Sequence, residues 1–214
     1  MIDGQMLLAP ALILALAIAI IGHEIMHGWV AYRYGDMTAK SQGRLSINPL
    51  VHIDPVGTIL VPAILYFSGA PFLFGWAKPV PFNPHIVMKN GGYGAVIAVA
   101  LAGVTFNLLT AVLAATLMPL VAHPTGMVGA FFNIFLYQLV IISVILTVFN
   151  LWPIPPLDGS LALQYFAAKM GWNSLVEGID KVRPFGMLIV VALIATPVGD
   201  YLFMPARWLL EHIL

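Results

Sequence analysis

Long stretches without a charged residue are the feature that most restricts what this chain can fold into. Residues 5–31 open with a run of apolar residues, LLAPALILALAIAI, and the stretch exceeds the roughly 20 residues that a helix needs to cross a hydrocarbon core of about 30 Å. Of the 214 residues, 61% are hydrophobic and 8% charged. A soluble domain has about 45–50% and about 25%. The composition therefore predicts an integral membrane protein.

Apolar stretches alternate with polar ones along the whole chain. Those long enough to consider as membrane segments are 5–31, 55–77, 93–118, 130–152 and 186–204. We therefore expect an all-α polytopic membrane protein with about four to five transmembrane helices. Proline and glycine interrupt 55–77. We expect a re-entrant or β-like membrane-associated segment around 55–90, which is tolerated at membrane depth only where it packs on protein or lines a watery cavity.

The basic residues predict the orientation. Three of them lie just after the first span, within residues 33–54, and none precedes it. The positive-inside rule therefore puts the N-terminus outside and 33–54 in the cytoplasm. A full crossing by 55–77 would move Lys78 and Lys89 outside, whereas a segment that dips in and returns keeps both inside. The charge bias favours the re-entrant path.

Charge and cysteine content exclude several functions. Nine Lys and Arg balance nine Asp and Glu, so net charge gives no reason to expect a nucleic-acid partner, and no nucleic-acid-binding motif is found. The absence of cysteine excludes disulfides, thiolate metal sites and a cysteine nucleophile.

His23, Glu24 and His27 form an H-E-x-x-H motif at the end of the first apolar run. Residues four apart share one face of a helix, so both imidazoles can reach one ion, and zinc favours nitrogen ligands. A glutamate next to the first ligand is placed to take a proton from water. The alternative is two histidines packed at a helix end with a glutamate that reaches the interface. Ionisable groups in a span cost about 2.5–3.5 kcal/mol each and indicate function.

Asp158 in NLWPIPPLDGS is the best candidate for a third ligand. The prolines before it must end the helix that runs through 130–152, because proline removes a backbone donor and clashes with the preceding turn. An aspartate after such a break can point back into the bundle, although Pro-Leu-Asp-Gly alone is more often a plain turn. With 55–77 re-entrant, Asp158 and His27 end on the same side of the membrane.

Five sequence segments together resemble one protein family. HEIMH, GRLSINPLVHIDPVGT, FGWAKPVPFNP, AGVTFN and NLWPIPPLDG resemble the site-2 protease family of intramembrane zinc metalloproteases, in particular its compact bacterial members without PDZ or CBS domains. The likeness runs from about residue 10 to 165. It implies a single domain over 1–214, with a catalytic core at about 5–165, and a C-terminal polar connection and last membrane segment at 166–214.

The resemblance implies roles for individual residues. The zinc ligands, for one Zn²⁺ per chain, would be His23, His27 and Asp158. Glu24 would be the catalytic base.

Two asparagines match positions that line the family's active site and are implied to hold substrate or the oxyanion. They are Asn107 and Asn150. The family commonly has Gly-Pro-x-x-Asn where this chain has Val104 after Gly103. Without the proline, the helix kink at this point and the orientation of Asn107 are expected to differ from the family's.

The segment FGWAKPVPFNP, residues 74–84, is typical of an edge strand or an extended loop, because β-branched residues and prolines spaced two apart recur in it. One interpretation is a proline-stiffened cytoplasmic loop. The other, which the resemblance supports, is a strand that pairs with substrate, since a helical substrate must unwind before its peptide bond is accessible.

The resemblance implies hydrolysis of peptide bonds within or near transmembrane segments, as in regulated intramembrane proteolysis. The alternatives are a membrane zinc-binding or transport protein and an inactive family member. The expected partners are transmembrane substrate proteins and the lipid bilayer, with no nucleic acid, and a homo-oligomer is left open. We expect a multi-pass protein of a bacterial cell membrane with its zinc site toward the cytoplasm.

Overall fold

The computed structural model describes residues 4–70, 72 and 74–214, and these residues form helices and loops but no β-strand. The α-helices, in chain order, are α1 (Gly4–Arg33), α2 (Thr38–Ser41), α3 (Val61–Phe67), α4 (Pro84–Leu117), α5 (Gly126–Asn150), α6 (Asp158–Lys169), α7 (Asn173–Val182), α8 (Gly186–Ile194), α9 (Val198–Leu202) and α10 (Met204–Ile213). Short 3₁₀ helices cover Pro49–His52, Met118–Val121 and Arg183–Phe185, and a π-helix covers Pro55–Leu60.

Three helical runs in the described part of the chain are long and apolar enough to cross a membrane. They are Met6–Arg33, Pro84–Val121 and Gly126–Asn150. Their outward faces carry exposed apolar side chains, such as Ile13 at 66% exposure. Such a surface suits lipid and not water, so the chain is an integral membrane protein, and the helices predicted at 5–31, 93–118 and 130–152 are confirmed.

Helix α4 begins nine residues before the predicted boundary and is kinked where the prediction placed its start. Gly92 has φ of 67° and ψ of −167°, a conformation that glycine adopts without the strain a side chain would add. The kink separates a polar first part, capped by the Asn83 side chain on the His85 N–H at 3.0 Å, from the apolar span.

Helices α1, α4 and α5 pack against one another and form the centre of the bundle. Small or site-forming residues recur every fourth position along the buried face of α1, and these are Ala11, Ala15, Ala19, His23, His27 and Ala31. A matching buried series on α4 consists of Ala95, Val99, Gly103, Asn107 and Ala111. Small residues at such spacing let two helix backbones approach closely in a membrane. The histidines therefore lie within the helix contact, next to Gly103 of α4.

The residues on either side of the region predicted as re-entrant lie close together. Its helical run, Pro55–Phe67, is shorter than the three spanning runs. After this run, the Lys78 N–H donates to the His52 C=O at 2.8 Å, so the residues just before and just after the 55–77 stretch are adjacent. Residues 71 and 73 of the predicted 55–77 stretch lie outside the described residues. The described residues of 74–83 form no helix and no strand ladder, so the β-like alternative is not seen as a paired strand.

The C-terminal third is a series of short helices. The polar stretch at 158–185 is mostly helical, as α6 and α7, and α6 packs on α4. The apolar stretch predicted at 186–204 is divided into α8 and α9 at Pro197, which interrupts helical hydrogen bonding. Helix α10 packs on α5 and contributes the buried Ala206 to the main apolar cluster.

Candidate metal centre

Three polar side chains of the C-terminal half of α1 are buried or partly buried: His23, Glu24 and His27. His23 and His27 lie on its buried face, one turn apart, with exposures of only 7% and 8%. Their rings contact edge to face, with centroids 4.7 Å apart. Because both belong to one regular helix, the separation of the two imidazoles follows directly from the i, i+4 spacing of the motif.

Asp158 reaches the same point from the first turn of α6. Helix α5 ends at Asn150, a proline-rich turn follows, and α6 begins at Asp158 itself. Gly159 packs so closely on the Leu151 C=O that a Cβ atom could not be accommodated there. The glycine after the aspartate therefore lets α6 start directly against the end of α5, which aims Asp158 into the bundle.

The three side chains converge on one point. Oδ2 of Asp158 lies 3.2 Å from Nε2 of His23 and 3.3 Å from Nε2 of His27, and the two Nε2 atoms are 3.1 Å apart. Zinc bonds of about 2.0–2.2 Å in a tetrahedron would separate neighbouring ligand atoms by about 3.3–3.6 Å. The observed triangle, 3.1–3.3 Å on each side, is close to this size and slightly smaller, so a small outward shift of the side chains would seat a single zinc ion.

The donor set fits a cation on chemical grounds as well. Nδ1 of His27 lies 2.7 Å from the Val99 C=O and donates to it, so the Nε2 of a neutral His27 ring keeps a lone pair directed at the other donors. Oδ2 of Asp158 is buried and has no hydrogen-bond partner among the described residues. Several electron-rich atoms facing one another at about 3 Å are stabilised by a positive ion between them.

The carboxyl group of Asp158 is in the form that binds metal. Burial would raise its pKa, but attraction to the His27 and His23 rings in their protonated form outweighs burial and lowers the pKa to about 2. At neutral pH the group is therefore a carboxylate, and a carboxylate oxygen is a ligand that zinc accepts beside imidazole nitrogen.

One face of α4 supports the two imidazoles from behind. Val99 accepts from His27, and the Asn107 side chain lies 3.1 Å from Nδ1 of His23. Between them, a Cβ atom on Gly103 would come within 2.5 Å of Nε2 of His27 and Cε1 of His23. These α4 residues are four apart and share one helix face.

Glu24 lies beside the ligands and is held by the segment that follows the re-entrant region. Its Oε2 accepts from the Val80 N–H at 2.7 Å. Glu24, both histidines and Asp158 line one cavity of about 410 Å³. Most residues of the segment 74–80 line the same cavity, so an extended chain entering it would meet both the segment and the ligand cluster.

The two asparagines singled out from the sequence occupy different places. Asn150 lines the cavity, and its Nδ2 donates to the Leu146 C=O at 3.0 Å. Asn107 is completely buried behind His23 and does not line the cavity. Val104, where the family commonly has proline, lies inside a continuous α4 that still presents Asn107 to the ring.

Sequence reasoning missed three contributors to the centre: Val99, Gly103 and Val80. The spacing of Val99 and Gly103 from Asn107 was a usable signal, because it continues one face of α4. No local pattern indicates that the backbone N–H of Val80 meets Glu24, since the two residues are far apart in sequence.

Comparison with known proteins gives relatives that share most of this chain. It is 34% identical over 205 residues to "Putative zinc metalloprotease YwhC" of Bacillus subtilis, which covers 92% of this chain and 86% of that protein. It is 30% identical over 191 residues to "Putative zinc metalloprotease Rip2" of Mycolicibacterium smegmatis, covering 89% of this chain and 66% of the relative. The Rip2 protein of Mycobacterium tuberculosis is 28% identical over 193 residues, covering 88% of this chain and 68% of that protein.

No family model matches the chain, and no solved structure matches it. The relatives named as zinc metalloproteases align with 88–92% of this chain. The chain belongs to the site-2 protease family of zinc metalloproteases.

Proposed function

We propose that this protein hydrolyses peptide bonds within or next to the transmembrane segments of membrane proteins. One zinc ion per chain would be held by His23, His27 and Asp158. The observation that carries the proposal is the triangle of donor atoms, 3.1–3.3 Å on each side, beside a cavity in a bundle of membrane-spanning helices. A site built there gives access to a peptide bond that is itself in the membrane.

Zinc bound at this centre supplies Lewis acidity, which polarises a carbonyl group and acidifies water. Glu24 is the base: it takes the proton of the attacking water and returns it to the leaving amine. Its Oε2 is held by the Val80 N–H, which leaves Oε1 for the proton. Nδ2 of Asn150 has a second N–H beside the one given to Leu146, and this N–H is available to the oxyanion.

The segment 74–83 aligns the substrate as an extended strand. Trp76 and Lys78 each donate their N–H to protein carbonyls and accept from the Thr58 and Arg44 side chains, so alternate residues of the segment are bound on one side. Among the described hydrogen bonds, none uses the N–H or C=O of Ala77, which lines the cavity. A free backbone edge of this kind can pair with an unwound peptide and replace its helical hydrogen bonds.

The same proposal includes the membrane topology. The meeting of Asp158 with His27 supports a re-entrant 55–77, because a full crossing there would put the two residues on opposite sides. The chain then crosses four times, through α1, α4, α5 and the 186–204 region, with the metal centre toward the cytoplasm. We propose a bacterial cell membrane as its location and transmembrane proteins as its substrates.

Replacing the base tests the proposal. A Glu24→Gln variant, incubated with a single-span reporter in proteoliposomes, should cleave about 10²–10⁴ times more slowly than the wild type while it still binds zinc. Glu177→Gln on the exposed part of α7 is the matched control and should cleave normally. Cleavage by Glu24→Gln at the wild-type rate would refute the assigned base. Zinc flux across the vesicle without cleavage by the wild type would favour the transport alternative.

A further inference from the structure

Both imidazoles use their second ring nitrogen for a contact with α4. Nδ1 of His27 donates to the Val99 C=O at 2.7 Å, and Nδ1 of His23 lies 3.1 Å from Nδ2 of Asn107. The two α4 positions are two turns apart on one face. The contact to His27 is a backbone group and does not depend on residue type. The contact to His23 is made by a side chain, so it depends on which residue occupies position 107.

Asn107 cannot touch a substrate where it lies. It has 0% exposure, it does not line the cavity, and it contacts the Nδ1 edge of the His23 ring, whereas Nε2 faces Asp158. A peptide in the cavity would have to displace His23 to reach it. The role of this side chain must therefore act through the imidazole.

The role of Asn107 depends on which ring nitrogen of His23 carries the proton. A neutral imidazole has a single N–H, so a cation on Nε2 leaves the proton on Nδ1, which then needs an acceptor. Oδ1 of Asn107 is buried and has no hydrogen-bond partner among the described residues. A half-turn of the amide about Cβ–Cγ exchanges Oδ1 for Nδ2 at the same 3.1 Å position. An amide can thus serve His23 in either tautomer, as donor without metal and as acceptor with it.

We propose that Asn107 is a positioning residue of the metal centre: its amide oxygen accepts the Nδ1–H of His23 when Nε2 binds the cation. This inference rests on the proposed zinc site and adds the partner that orients one ligand. It assigns Asn107 to the ligand and not to the substrate or the oxyanion. Outer partners of this kind fix the ring and raise its basicity, and removing one typically weakens metal binding 10–100-fold.

Zinc affinity separates the two roles. The full chain in detergent is titrated with zinc against a fluorescent chelator, for the wild type, Asn107→Leu, Asn107→Asp and Asn150→Leu. Leucine has a similar volume and no acceptor, so its zinc Kd should rise 10–100-fold. Aspartate keeps an acceptor, so its Kd should stay within about threefold of the wild type or become tighter. Asn150→Leu alters a cavity residue and should leave the Kd unchanged.

Cleavage of the single-span reporter at saturating zinc is the second readout. Asn107→Leu should regain most of its activity there, whereas Asn150→Leu should not. A wild-type zinc Kd for Asn107→Leu together with lost cleavage overturns the proposal and favours a substrate contact. If Asn107→Leu fails to fold, the aspartate variant decides: a Kd raised more than tenfold overturns the proposal. Failure of the proposed function is recognised separately, as a wild type that binds zinc but cleaves nothing.

Discussion

Gly103 illustrates how closely the metal centre constrains single residues. It faces both histidine rings from the neighbouring helix, and even a methyl group there would approach His27 Nε2 to 2.5 Å. The glycine therefore permits the close approach of α4 to α1, and the flanking Val99 and Asn107 then reach the outer nitrogens of the rings. The Gly-x-x-x-Asn pattern has a structural reason: one residue makes room for an imidazole and the other contacts it.

Replacing Gly103 with alanine should damage the centre without removing any ligand. The added Cβ must push at least one imidazole out of the triangle, so we expect the zinc Kd of Gly103→Ala to rise by about tenfold or more. Gly94→Ala is the matched control on the same helix, because nothing lies within 4 Å of a Cβ there. Both variants are titrated as detergent-purified protein. Equal zinc affinity in the two variants would mean that the rings move aside freely.

At the scale of elements, the segment 74–83 joins the re-entrant region to the metal centre. Its N–H groups at Trp76 and Lys78 bind the region around Gly57 and His52, and its N–H at Val80 binds Glu24. Because the hydrogen bonds are made by alternate residues, the backbone groups of the residues between them are left free, and one of these residues, Ala77, lines the cavity. The element that would align the substrate thereby also positions the base.

Proline scanning tests whether that edge is used. Ala77→Pro removes an N–H that no described residue accepts, so the thermal stability of the protein should be nearly unchanged while reporter cleavage falls by about tenfold, the effect of one lost hydrogen bond of about 1.4 kcal/mol. Lys78→Pro removes the N–H bound to His52 and should lower stability by about 1–3 kcal/mol. Melting temperature and cleavage rate are measured on the same preparations. Full cleavage by a stable Ala77→Pro protein would exclude pairing at this residue.

On the scale of the whole molecule, the centre connects parts of the chain that are about 130 residues apart. His23 and His27 belong to α1, the first of the three long helical runs. Asp158 is the first residue of α6, which follows the last of these runs in the chain and packs on α4. An ion bound at this point would tie α1 to α6 across the bundle. Because the unfolded chain has no such arrangement, the ion would stabilise the folded state alone.

Zinc should therefore raise the melting temperature. At about 100 times its Kd, a ligand specific for the folded state adds about 2.7 kcal/mol, which for a chain of this size corresponds to about 5–10 °C. Asp158→Asn should lose most of that shift, whereas Asp200→Asn, in an exposed pair with Arg207, should keep it. Tryptophan fluorescence on heating, with zinc or with a chelator, measures the effect. Identical melting with and without zinc in the wild type would contradict a zinc site at this position.

Much of this architecture could be predicted from local pattern. The lengths of 5–31, 93–118 and 130–152 predicted the three long helices, because the hydrophobic length needed to cross a bilayer is a local property. The kink at Gly92 coincides with the predicted start of the third apolar stretch. Helix boundaries were less predictable: α4 begins at Pro84 because Asn83 caps a polar turn that hydropathy does not reveal.

The sequence by itself determined that this is a membrane protein and that His23 and His27 share a helix face, because both properties depend on residues near one another in the chain. Tertiary structure alone decided what surrounds them. The approach of Gly103 to the rings, the burial of Asn107 behind His23 and the contact of Val80 with Glu24 arise where separate helices and loops meet. No spacing within one segment encodes such contacts, since they depend on how all the packed surfaces fit together.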